Sequence, residues 1–260
     1  MNEEEKILPA EPTVPVEVEE AETPPLGVVI KEPVDSWIPR TKLGRKVLNK
    51  EITDIDQIIS SGIRVLEAHI ADRLLPNLES DFALIGQSKG KFGGGKRSIW
   101  RQTQRKTKEG NKPSFSTLVI VGDKNGHVGI GIGKAKETVP AREKALRVAK
   151  TSIIAIRRGC GSWACSCSTP HSIPFKVTGK CGSVKVELIP APKGTGLASE
   201  KETRKLLILA GIKDIHSKTF GQTRTKINLI YAYFDAFKKL TKTKVKPHYI
   251  KSSGLVEGSI

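Results

Sequence analysis

Cys160, Cys165, Cys167 and His171 fall within twelve residues of one another, and soft thiolates with an imidazole can close a tetrahedral shell around Zn²⁺. The spacing, C-x4-C-x-C-x3-H, differs from a paired C-x2-C knuckle, and Cys181 is a further thiol that can take the place of His171 as fourth ligand. Two readings stay open. One is a structural zinc that stiffens a Gly- and Ser-rich stretch with little apolar content; the other is four reduced thiols with His171 hydrogen-bonded in a loop. Four cysteines, three of them clustered, are too few for a secreted disulfide scaffold, so a reducing compartment is expected.

The second chemistry is capture of a polyanion. The chain holds 44 Lys plus Arg against 27 Asp plus Glu, for a net charge of +17. Residues 1–35 carry ten acids and two bases, net −8, so residues 36–260 carry +25. A field of that strength attracts phosphate backbones. A membrane surface would need a basic amphipathic helix with large apolar anchors, and none stands out; no apolar run is long enough to span a bilayer. The expected RNA contacts are Arg101, Arg105, Lys106, Lys108 and Lys112 around a first hairpin, and Lys124, Asn125 and His127 at a second. Lys134 and Lys136 precede a helix whose amino end favours phosphate, and Arg157 and Arg158 offer guanidinium forks beside a Gly-rich bend.

Nucleotide chemistry is excluded. In Gly129-Ile-Gly-Ile-Gly-Lys134, Val128 stands where a phosphate loop needs its first Gly, and Ala135 where it needs Ser or Thr. Lys134 also replaces the third Gly of a dinucleotide fingerprint. No His, Asp, Ser or Cys set has the spacing of a catalytic triad, so the chain is read as a non-enzyme.

The elements that must position these side chains read as an α+β protein. Residues 1–36 are an acidic, Pro/Glu-rich stretch expected to be disordered. Residues 37–97 hold a basic arm, two short helices over 53–75, and a Gly/Lys loop that is either mobile and solvated or in contact with RNA. From Ile99 to Ile156 the pattern is strand, strand, strand, helix, with Asp123-Lys-Asn-Gly126 as a hairpin turn. Val128, Ile130 and Ile132 point to one face of the third strand, and Gly129, Gly131 and Gly133 leave the other bare for a close neighbour. The helix from about Thr138 to Ile156 is expected to bury Ala145, Val148, Ala149, Ser152, Ile153 and Ile156. Beyond a Cys-rich connection, 173–178 and 183–189 read as strands joined by a turn over 179–182. A helix over about 199–210 ends at Gly211, and a last helix over about 227–240 carries Tyr231, Tyr233, Phe234 and Phe237, read as core.

Several of these segments are motifs. Phe115-Ser-Thr-Leu-Val-Ile-Val-Gly-Asp-Lys-Asn-Gly-His-Val-Gly-Ile-Gly-Ile-Gly-Lys-Ala-Lys-Glu137 closely resembles the signature of the family of ribosomal protein five of the small subunit. Pro174-Phe-Lys-Val-Thr-Gly-Lys-Cys-Gly-Ser-Val184, Ile189-Pro-Ala-Pro-Lys-Gly-Thr-Gly-Leu197, Leu209-Ala-Gly-Ile212 and Lys218-Thr-Phe-Gly221 resemble its carboxy-terminal domain. Trp37-Ile-Pro-Arg-Thr-Lys-Leu-Gly-Arg45 and Arg158-Gly-Cys-Gly-Ser-Trp163 resemble its archaeal-type branch, which is related to the eukaryotic homologue. The resemblance runs from about residue 37 to 242; the acidic tail and the Gly/Lys insertion near 86–97 depart from it.

The resemblance implies an amino-terminal domain similar to double-stranded-RNA-binding domains, made of an antiparallel sheet plus helices and placed at 98–159. A Cys-rich linker at 160–172, a small α/β domain at 173–242 of the family's second-domain type, and a basic flexible tail at 243–260 follow. It also implies a structural constituent of the cytoplasmic ribosome's small subunit, bound to rRNA near the decoding region and the path by which mRNA enters, and supporting translational accuracy. Its implied neighbours are small-subunit proteins four, eight and three, and no membrane. The rival is a free-standing double-stranded RNA-binding protein or RNA chaperone, which would need only the first domain.

Overall fold

The structure is a computed structural model, and it describes residues 37–88, 97–165 and 167–259. The acidic stretch 1–36 and most of the Gly/Lys loop, 89–96, lie outside the described residues.

The segment expected as a basic arm is folded. Thr41 caps helix α1 (Lys42–Leu48) by accepting a hydrogen bond from the Gly44 amide, and Glu67 accepts from the amides of Arg40 and Thr41. Helices α2 (Ile55–Ser60) and α3 (Ala68–Leu74) are the two short helices expected. With α1 they close a small core of Val47, Ile58, Val65 and Ile70, while Ile63 and Leu66 of the same apolar pattern stay exposed.

The first sheet has five strands. They are β1 (Glu79–Phe82), β2 (Arg101–Thr107), β3 (Gly110–Gly122), β4 (His127–Ala135) and β5 (Ile154–Ala155), all paired antiparallel. β3 is long enough to pair β2 with its first half and β1 with its end. Helix α4 (Thr138–Thr151) lies on the bare glycine face of β4. A β-carbon on Gly129, Gly131 or Gly133 would collide with the carbonyl oxygens of Ala149, Ala145 and Ala141, one helical turn apart. The close-approach reading is therefore met, but the helix ends sooner than expected. Val148 is exposed, Ile153 is half-buried beyond the helix, and Ala141 takes the core position that the sequence reading missed.

The second sheet has the order β7 (Val177–Cys181), β8 (Val184–Pro190), β10 (Ile215–Phe220) and β9 (Leu197–Ala198). The β7–β8 turn is shorter than expected and confined to Gly182 and Ser183, because Gly179 lies inside β7. There its missing side chain admits the backbone of helix α6 (Lys226–Lys242) at Ala232 and Ala236. α6 buries Tyr233, Phe234 and Phe237 as predicted, at roughly 1.5–3 kcal/mol for each large apolar side chain removed from water. Helix α5 (Lys201–Leu209) packs beside it and ends at Gly211, which has φ +77°.

The two halves are not separate beads. One core runs from Leu118 and Ile120 of the first sheet through Leu207 to Leu240. The Lys124 amide donates to the Leu209 carbonyl at 2.9 Å, and buried Glu202 accepts from the Leu84 amide at 2.9 Å. The carboxy-terminal segment also corrects the flexible-tail expectation. Helix α7 (Pro247–Ser252) is followed by β11 (Val256–Glu257), which pairs with β6 (Arg157–Arg158).

Candidate nucleic-acid interface and cysteine cluster

Beyond the sheet, β2 and the first residues of β3 form a two-stranded ribbon whose side chains are solvent-exposed on both faces from Arg101 to Lys106 and from Lys108 to Pro113. Among the described strands, β2 pairs with β3 alone. The register pairs Arg101 with Ser116 and Arg105 with Lys112, and Ser116 in turn pairs with Lys134 of β4. Directly paired residues share a face. Arg101, Arg105, Lys112 and Lys134 therefore line one face, Lys106 lies on the other, and Lys108 sits at the tip. Lys112 pairs with Glu109, the single acid of the ribbon, at 2.7 Å. Like charges set directly across a strand pair, as Arg105 and Lys112 are, destabilise a sheet unless an anion comes between them. The base of the ribbon is fixed where the Arg142 guanidinium stacks on Trp100, 4.6 Å from the ring centroid. Lys136 is exposed just ahead of α4.

The second hairpin does something else. Lys124, at φ +60°, is exposed but paired with Glu79 at 2.5 Å. Asn125 presents its carbonyl and Oδ1 to Arg158 Nη2, at 2.9 and 3.3 Å. His127 is 1% exposed, and its Nδ1 lies 2.6 Å from Asp123 Oδ2 and its Nε2 2.8 Å from Asp56 Oδ1. Burial alone would lower the pKa of His127. The two carboxylate hydrogen bonds and their charges outweigh it and hold the imidazole above its ordinary value. Asp56 also accepts from the Ser259 amide and hydroxyl, so the group ties α2 and the carboxy-terminal segment to the turn. Arg158 is 3% exposed and donates to the Gly258 carbonyl as well, at 3.1 Å. Arg157 is spent on Glu257 at 2.9 Å and on the Leu240 and Thr243 carbonyls. His127 and Arg158, expected as RNA contacts, are thus internal ties: His127 joins the carboxylates of Asp123 and Asp56, and Arg158 holds the Asn125 and Gly258 carbonyls.

Cys160, Cys165, Cys167 and His171 come together with all four donor atoms within 4.8 Å of one another. Cys165 Sγ lies 3.1 Å from Cys167 Sγ and 3.9 Å from His171 Nε2. Tetrahedral zinc with its usual bond lengths sets donors about 3.5–3.8 Å apart, so small side-chain shifts close the shell. Cys181 is not in the group, which removes it as an alternative ligand. Asp214 is the residue that sequence reasoning missed. Its Oδ2 lies 2.8 Å from His171 Nδ1 and leaves Nε2 facing the thiols, while Oδ1 accepts from the amides of Gly194 and Gly196. A carboxylate that fixes the far nitrogen of a histidine is the usual support of a metal ligand. No local signal links residues 171 and 214. The hydrogen bond from the Thr169 hydroxyl brings the Cys167 thiol down to about 6, whereas burial pushes Cys160 up to about 11. The Thr169 hydrogen bond thus favours the Cys167 thiolate that a cation would take, and metal binding at Cys160 would have to release its proton.

A strongly basic α+β scaffold with an exposed cationic ribbon, two sheets locked on one core and a cysteine–histidine cluster defines an RNA-binding structural protein. Residues 99–157 match Ribosomal protein S5, N-terminal domain, and residues 179–246 match Ribosomal protein S5, C-terminal domain. The small ribosomal subunit protein uS5 of Nanoarchaeum equitans is 50% identical over 227 residues, covering 87% of this chain and 97% of its own. Those of Methanocaldococcus jannaschii and Methanococcus maripaludis are 44% and 43% identical, each over 87% of this chain and over 98% and 94% of their own lengths. The chain belongs to the ribosomal protein S5 family, in its archaeal-type branch, as a structural and non-enzymatic constituent of the small ribosomal subunit.

Proposed function

We propose that this chain grips rRNA of the small subunit through the β2–β3 ribbon, at a site close to the decoding region and the path by which mRNA enters, and that it supports translational accuracy there. The observation that carries the grip is the row of Arg101, Arg105, Lys112 and Lys134 on one exposed face, with Arg105 and Lys112 directly opposed. Duplex RNA offers phosphates and 2′-hydroxyls rather than readable base edges, so the contact reads shape. Lys106, Lys108 and Lys136 add charge from the other face, the tip and the foot of α4. Residues 98–159 form the unit that holds RNA through the ribbon, and 173–242 form the second α/β domain. Small-subunit proteins four, eight and three are the neighbours that the family resemblance implies. The place of work is the cytoplasmic ribosome; no described helix is long and apolar enough to cross a membrane.

Zn²⁺ belongs in the Cys160, Cys165, Cys167 and His171 cluster as a structural ion. The Asp214 brace supports this reading, since it prepares His171 Nε2 as a ligand. The ion would pin the junction between the two sheets and, through the Cys160 amide bonded to the Ser253 carbonyl, the end of α7.

Sedimentation tests the assignment. Tagged chain expressed in a host with archaeal-type ribosomes and run on a sucrose gradient at high magnesium should co-migrate with the small subunit. Recovery at the top of the gradient, beside free RNA-binding proteins, would favour the free-standing alternative.

A further inference from the structure

The outer face of the second sheet carries a motif that the ribbon does not account for. Strand register sets Lys180, Lys185 and Phe220 in one row across β7, β8 and β10, and Thr178, Glu187 and Lys218 in the next. The opposite face is covered by α6, so this row points away from the core. Phe220 is 48% exposed, and Lys185 Nζ stands 5.7 Å from its ring centroid. Lys180 and Lys185 are like charges directly opposed. Glu187, the one acid of the face, is already shared by Lys185 at 3.0 Å and Lys176 at 2.9 Å. Arg224 extends the positive margin from the turn after β10, and Arg97 donates to its carbonyl.

We propose that this face is a second RNA site, of a different kind from the ribbon: a stacking platform for an unpaired base of a single-stranded segment. The physical argument has two parts. An aromatic ring left open on a sheet face, on a protein with no shortage of core positions, wants a flat apolar partner; a nucleobase is flat, and its flanking phosphates answer the surplus of Lys180, Lys218 and Arg224. A protein partner would be met by a larger apolar patch, but the rest of this face is Lys, Thr, His and Glu, with Ile189 half-buried at its inner end. Stacking on an exposed ring with cationic flanks tolerates any base, so the site should discriminate strand state and not sequence. This goes beyond the duplex-gripping function proposed above and does not depend on it.

The test uses the full-length chain and two labelled probes, a short single-stranded RNA without self-complementarity and a hairpin RNA, with affinity read by fluorescence anisotropy. Phe220→Ala should weaken the single strand by about tenfold or more and leave the hairpin within about twofold, since a stacked base contributes on that scale. Phe220→Tyr, which keeps the ring, should bind the single strand nearly as well as the unmodified chain. Arg101→Ala with Arg105→Ala should show the reverse pattern, so that failure of the ribbon reading and failure of this one leave different signatures. Unchanged single-strand affinity in Phe220→Ala, in a variant whose thermal unfolding matches the parent, would overturn the proposal. So would equal loss in Phe220→Ala and Phe220→Tyr. If Phe220→Ala binds both probes normally yet is depleted from purified subunits, the face docks a protein and the proposal is wrong.

Discussion

His127 lies between Asp123 at 2.6 Å and Asp56 at 2.8 Å, sealed from water, where the sequence suggested a turn residue facing phosphate. Its pKa is raised above the ordinary 6.5, so the stability it contributes is fully present below that value and is lost as pH rises through the folded-state value. Burial would raise Asp123, but the His127 hydrogen bond, its charge and two backbone amides hold it below the ordinary 3.8, so its contribution is lost only as pH falls through that depressed value. The advantage of the parent over His127→Asn in urea unfolding should therefore be largest near about pH 6 and shrink steadily toward about pH 9. A difference that stays constant over that range would show that the imidazole is neutral in the fold. The residue type was legible and its partners were not, because Asp56 is 71 positions away and no periodicity connects it. The glycines of β4 were legible because alternation along one strand is a local property, and the bare face follows from it whatever covers it.

At the scale of elements, strands and helices with a strong apolar period were read within a few residues. β10 was missed because Ile215–Phe220 buries only its first residue and alternates weakly, and β11 because two residues carry no period at all. The carboxy-terminal segment read as a free tail for the same reason; it is held by pairing to β6 and by the Arg157–Glu257 contact. The ribbon is the opposite case, a regular element with no core face, stabilised by its hydrogen-bond register and destabilised by Arg105 against Lys112. Arg105→Glu places opposite charges there and should make the free protein slightly more stable, by roughly a few tenths of a kcal/mol, while weakening RNA binding. The two measurements, urea unfolding and RNA affinity, should thus move in opposite senses. A variant that is less stable and binds RNA equally well would mean that the ribbon's charges serve the fold.

For the whole molecule, charge and motif order in the sequence were enough to identify an RNA-binding, family-five scaffold with two sheets, and to point at the cysteine cluster. They did not show that both sheets share one core, or that the cluster sits where β6, α7 and the Pro190–Gly196 loop converge through Asp214 and Ser253. Those links are between residues far apart in sequence. If zinc fills the cluster, protein purified under reducing conditions should carry close to one equivalent, and chelation should lower the unfolding temperature. Cys165→Ser with Cys167→Ser should abolish both the metal and the response to chelator. Protein that carries less than about a tenth of an equivalent, without prior chelation, has no structural zinc there.

Whether the ribbon's exposed cations hold the RNA backbone is read from the salt dependence of binding. Each neutralised phosphate releases counterions, so the logarithm of affinity for structured RNA should fall steeply and linearly with the logarithm of salt concentration. Arg101→Ala with Arg105→Ala should weaken binding across RNA sequences alike and flatten that slope by roughly one to two units, about one for each lost phosphate contact. An unchanged slope in a correctly folded double variant would place the RNA grip elsewhere on the molecule.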